Sequence, residues 1–125
     1  MFAAPFLNLV VIRSADIERA RFFYEVLGLS FEKQSHGNGP DHYSYEANGL
    51  VFEIYPLKED QTPTSPTSPT RLGFSIDDVD ATMDDLREMN IEIISLPQES
   101  EWGRRAVVKD LDGHIVELTT HIEAR

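Results

Sequence analysis

The 125 residues contain no cysteine. That excludes a disulfide framework, a thiolate zinc site, an all-cysteine iron–sulfur cluster and a cysteine nucleophile. Positive charge is scarce too: 11 Lys and Arg stand against 22 Asp and Glu, giving a net charge of −11. A phosphate backbone or an anionic bilayer repels such a chain, so neither nucleic acid nor membrane is expected as a partner. No apolar run approaches the ~20 residues of a membrane span, and residues 1–5 lack a basic segment ahead of an apolar one. A soluble, cytoplasmic protein is the expectation. What is present, 41% hydrophobic and 26% charged residues, suits one domain over residues 1–125.

Hydrophobic periodicity divides that domain into two similar halves. Residues 7–12, LNLVVI, are short, apolar and β-branched, as in a strand buried on both faces. Ile17, Ala20, Tyr24 and Leu27 then recur at helical spacing, behind Asp16 and Glu18 and ahead of Gly28. Strands are expected at 29–34, 42–47 and 50–55, the last two joined by Asn48-Gly49, a pair suited to a two-residue type I′ hairpin. In 58–70 the run QTPTSPTSPT carries three prolines and no large apolar side chain, and so reads as a linker. Beyond it Leu72, Phe74 and Ile76 alternate, and Val79, Met83 and Leu86 follow at helical spacing. Strands at 91–95, 106–109 and 115–119 close the chain, the last two connected through Asp112-Gly113. Each half is thus βαβββ, with modules at about 6–57 and 71–121. The expected class is α+β, two such modules forming one curved mixed sheet.

Side chains alternate across a strand, so Glu53 and Glu117, equivalent residues of the two modules, fall opposite the apolar set Phe52, Ile54, Val116 and Leu118. The apolar set belongs under the helices, which leaves both carboxylates pointing into the concavity. If Asn48-Gly49 is the whole loop, Ser44 lies opposite Glu53 and His42 opposite Tyr55. His42, Ser44 and Tyr55 then share the face of Glu53, while Tyr43 and Tyr45 take the helix side.

Four stretches in order, LNLVVIRSADIERARFFYEVLGL, VFEIYP, RLGFSIDDVDATMDDL and DLDGHIVEL, make the chain resemble the vicinal oxygen chelate superfamily, the glyoxalase and bleomycin-resistance fold. The superfamily holds metal-dependent isomerases, extradiol dioxygenases, epimerases, thiol transferases and metal-free binding proteins, so the fold leaves the chemistry open. In its metal-dependent members each module gives one ligand from its first strand and one from its last. By that resemblance the last-strand positions are Glu53 and Glu117, the second module's first-strand position is Arg71, and the remaining one is Asn8 or Leu9.

A guanidinium has no lone pair to donate, so Arg71 disfavours a divalent metal and no cofactor is expected. Two roles are open to Arg71: a salt bridge with Glu53 and Glu117 in place of the ion, or a solvent-facing position at the end of the linker. His42, and His121 four residues beyond Glu117, are the histidines through which a metal could still bind. Trp102 is placed to stack on a ligand and Arg104 or Arg105 to hold an anionic group, with Tyr55 beside His42. Two functions follow. One is a metal-free small-molecule-binding protein resembling bleomycin-resistance proteins, its acidic surface suited to a cationic ligand. The other is a glyoxalase-like lyase or isomerase, or a dioxygenase-like enzyme, acting on a small carbonyl compound with Glu53 or Glu117 as base and Arg71 or Arg105 as electrophile. Either is expected, by resemblance, to be a homodimer.

Overall fold

A computed structural model of the chain describes residues 4–61 and 70–120. Most of the expected linker, and His121, lie outside those residues. The first module contains β1 (Leu9–Ser14), α1 (Ile17–Leu27), β2 (Glu32–Gln34), β3 (His42–Ala47) and β4 (Leu50–Pro56). The second contains β5 (Arg71–Ile76), α2 (Val79–Arg87), β6 (Ile93–Ser100), β7 (Gly103–Lys109) and β8 (Ile115–Thr120). Each module forms a four-stranded mixed sheet, ordered β1-β4-β3-β2 and β5-β8-β7-β6, in which the first strand runs parallel to the last. The βαβββ repeat and the α+β class stand as expected.

Local chemistry fixes the elements. The Asp16 carboxylate accepts hydrogen bonds from the N–H groups of Glu18 and Arg19 at the start of α1, and Gly28, at φ 115°, closes its end. Asp78 caps α2 in the same way through the Ala81 N–H. Asn48 and Gly49 both adopt positive φ, 54° and 82°, as a type I′ turn requires. That turn sets Ala47 opposite Leu50 and Ser44 opposite Glu53.

Several boundaries differ from the sequence reading: β2 starts at Glu32 rather than 29, β6 at Ile93 rather than 91, and β7 at Gly103 rather than 106. β1 begins at Leu9, two residues later than expected, and it lies at the edge of its sheet with Leu9 51% and Val11 41% exposed. Burial on both faces is therefore corrected to burial on one, because only the helix side of this sheet is covered. β6 runs to Ser100, through Pro97, with register shifts between Ile93 and Ser95 and between Ser95 and Gln98. An edge strand tolerates a proline that cannot donate to a ladder.

The helix-side faces of both sheets meet in one core. Tyr24, fully buried, packs edge-on to Phe52 of the first module at 5.1 Å and lies 5.8 Å from Phe74 of the second, ring centre to ring centre. Its hydroxyl donates to Asp110 Oδ2 at 2.6 Å. Burial, with the charge of Asp110 alongside, pushes the phenol well above its usual ionisation range and keeps it a donor. Asp110 also accepts from the backbone N–H groups of Asp112 and His114 and faces His114 Nδ1 at 2.8 Å, while Asp112 Oδ1 accepts from Ala15 N–H in the first module.

Burial, the largest influence on His114, favours the neutral ring, but the Asp110 hydrogen bond and the charges of Asp110 and Asp112 together outweigh it and raise the group above its ordinary 6.5. A raised folded-state value means that the imidazolium contributes stability below the unfolded value and that this contribution is lost as pH rises through the folded one. Unfolding in urea across about pH 6 to 8 should show the wild type losing stability relative to His114→Gln as pH rises. Parallel curves would contradict the assignment.

Candidate functional site

The open face of each sheet, opposite the helices, carries the polar residues that the pleat singled out. In the first module Val11 pairs with Glu53 and Ser44 lies across from it, so Glu53 faces outward between β1 and β3. It lines a cavity of about 510 Å³ with Glu32, Gln34, Ser44 and Glu46. His42 is buried, its Nε2 lying 3.5 Å from Glu53 Oε2 and its ring stacked on Tyr55 at 4.0 Å and 9°. Arg13 caps the far side of Tyr55 at 4.9 Å, and His36 lies 5.1 Å from His42. The hairpin register anticipated the pairing of His42 with Tyr55. It gave no sign of Arg13 or His36, because long side chains reach across strands in ways that parity does not encode.

In the second module Gly73 pairs with Glu117, and Arg71 stands two residues earlier opposite Ile115. Arg105 Nε donates to Glu117 Oε1, and Arg71 Nη1 lies 3.8 Å from Glu117 Oε2. Glu117, Gly73, Ser75, Thr119 and Trp102 line a cavity of about 400 Å³. Arg104 points elsewhere, to Asp80 and Glu99. Of the two adjacent arginines, Arg105 is the one bonded to Glu117, a cavity-lining residue.

Glu53 and Glu117 do not share a cavity in one chain. Arg71 contacts Glu117 and not Glu53, whose nearest ionisable neighbour in an ion-pair geometry is His42. The expectation that the two carboxylates point together into one concavity is corrected on this point, and the reason is the core: the modules associate through their helix-side faces, which leaves each open face to front its own cavity. The register also separates Asn8 from Leu9. Leu9 pairs with Val51, two residues before the pair containing Glu53, as Arg71 pairs with Ile115, two before the pair containing Glu117. Leu9 is thus the counterpart of Arg71, and Asn8 precedes the strand, its carbonyl accepting from Val51 N–H.

The pattern of the Glyoxalase/Bleomycin resistance protein/Dioxygenase superfamily matches residues 6–118, and the chain belongs to that superfamily. Among solved structures it is similar to TnmS3, an antibiotic binding protein from Streptomyces sp. CB03234, at 27% identity and TM-score 0.66, covering 98% of this chain and 100% of that one. A glyoxylase/bleomycin resistance protein/dioxygenase domain from Frankia sp. EAN1pec gives TM-score 0.72 at 16% identity, covering 96% and 100%. A glyoxalase/dioxygenase from Nostoc punctiforme gives 0.72 at 20%, covering 98% of each chain. No curated protein matches.

The residues present do not fit the divalent metal that many members of this superfamily use. The two first-strand positions hold an aliphatic side chain and a guanidinium, neither with a lone pair to give. Among the described residues no three His, Asp or Glu side chains group to hold one ion. Chelator-treated protein titrated with nickel, zinc, manganese, iron(II) or cobalt(II) should therefore melt at an unchanged temperature. A metal present at about a hundred times its Kd would add ~2.7 kcal/mol, a shift of several degrees, and would overturn this reading.

Proposed function

We propose that the chain is a metal-free small-molecule-binding protein of its superfamily, working as a homodimer. The observation that carries the reading is the convergence of Arg71 and Arg105 on Glu117 at the cavity that Trp102 lines. Two guanidiniums on one carboxylate leave a unit of positive charge for a second anionic group, and the indole offers a flat surface for a ring. The ligand class this favours is a planar aromatic compound bearing a carboxylate or similar anion. That departs from the cationic ligand suggested by net charge alone, because the local arginines outweigh a diffuse acidic field at contact distance. Both oxygens of the Glu117 carboxylate face guanidiniums rather than open space for a substrate proton, which counts against the lyase or isomerase reading. The similarity to an antibiotic binding protein supports binding over turnover.

The dimer is supported by Leu9 and Val11, apolar and exposed on the open side of an edge strand, which a second copy would cover. The absence of cysteine suits a reducing cytoplasm. Among the described residues no helix is long and apolar enough to cross a membrane.

Trp102 is the only tryptophan, so its fluorescence reports on the cavity. Aromatic carboxylates such as 1-naphthoate should quench or shift it saturably, and Arg105→Ala should weaken that binding by about tenfold or more, at least ~1.4 kcal/mol. Silence across a panel of such compounds, or turnover of a small α-ketoaldehyde thiol adduct by chelator-treated protein that Glu117→Gln abolishes, would overturn the reading. Sedimentation equilibrium should give twice the 14.2 kDa chain mass; a monomer would remove the dimer from the proposal.

A further inference from the structure

Gly73 lies in the interior of β5 and lines the Trp102 cavity. A glycine inside a strand packs nothing and loses more conformational freedom on folding than any other residue, so its place there calls for a cause. Three ordinary causes are absent. Gly73 is not among the glycines at positive φ, so its backbone suits any side chain. β5 keeps unbroken register with β8 from the Arg71–Ile115 pair to the Ile76–Thr120 pair, so the residue marks no bulge. A Cβ on Gly73 would meet nothing within 4 Å, so among the described residues no neighbour packs into the space that it leaves. The remaining cause is close approach by a further group.

The equivalent strand of the first module shows what the space could hold. Val11 pairs with Glu53 as Gly73 pairs with Glu117, so a position that carries a β-branched side chain on one sheet carries a hydrogen on the other. Val11 projects from its open face, 41% exposed. On the second sheet the cavity instead reaches the backbone of β5, because Gly73 has no side chain and the ring of Phe74 turns into the core, 5.8 Å from Phe52. This bare peptide strip lies beside the carboxylate that Arg71 and Arg105 contact, and the indole of Trp102 lines the same cavity. Flat backbone on one side and a flat indole at the other boundary suit a broad, thin ring system. We propose that Gly73 is the specificity-determining residue of this cavity, its missing side chain making room for the second ring of a fused aromatic acid to lie on the backbone of β5. The inference rests on the binding reading given above and narrows its ligand class from aromatic acids in general to those with two fused rings.

The test uses the whole chain and two probes, benzoate and 1-naphthoate, with Kd measured by titration calorimetry on the wild type, Gly73→Ala and Gly73→Val. The wild type should bind 1-naphthoate more tightly than benzoate. Gly73→Val, which puts the side chain of Val11 on the second sheet, should lower that preference by about tenfold or more, with Gly73→Ala between the two. Both variants should melt at or above the wild-type temperature, since either side chain suits a strand better than glycine and its Cβ meets nothing. A preference that Gly73→Val leaves unchanged would overturn the proposal, as would a lower melting temperature in Gly73→Ala, which would give the glycine a structural cause. Dissociation of Gly73→Val in sedimentation equilibrium, where the wild type is a dimer, would assign the space to the partner copy and overturn it as well. All three failures leave 1-naphthoate binding by the wild type intact. Failure of the binding reading itself would appear instead as a wild type that binds neither acid, and would take the role of Gly73 with it.

Discussion

The fold rests on one buried carboxylate. Asp110 joins the phenol of Tyr24 on the first helix to the turn that closes the second sheet, and its neighbour Asp112 holds the backbone where the first strand gives way to that helix. A charge in that position would be costly alone; it is tolerated because four donor groups converge on it. The same contacts lock the rotation of one module against the other, so the placement of both open faces follows from them. Apolar packing of Tyr24, Phe52 and Phe74 supplies adhesion, and the hydrogen bonds select one arrangement among the many that greasy surfaces allow.

Much of this was legible in the residues, and for identifiable reasons. Asn48-Gly49 fixes a hairpin register by local backbone sterics, and from that register the shared face of His42, Ser44, Glu53 and Tyr55 follows with no tertiary information. The limits of the first helix came from Asp16 and Gly28 in the same local way. What was not legible depends on which surfaces meet. Whether Glu53 and Glu117 converge is decided by the association of the modules, and nothing in either strand encodes that. Asp112-Gly113 could be read as a turn, but Asp110 as a buried acceptor for Tyr24, 86 residues away, leaves no periodic trace. The edge position of β1 was hidden for a similar reason, since an apolar β-branched run looks the same whether a neighbour covers it or not.

Gene duplication and divergence would explain why two equivalent faces now differ in chemistry. On the first, a carboxylate is matched by an imidazole and surrounded by further acids; on the second, a carboxylate is neutralised by guanidiniums next to an indole. Positions that hold metal ligands elsewhere in the superfamily are occupied here by Leu9 and Arg71. The two open faces thus carry fields of opposite character, one acidic and one rich in guanidiniums.

The outer margins of the two sheets have their own consequence. β2 is only three residues long, and β6 is broken by two register shifts around a proline. Neither offers a regular row of free N–H and C=O groups on which another chain could extend the ladder. Strand addition, the common route from a β-rich domain to open-ended fibres, is thereby blocked at two of the four margins.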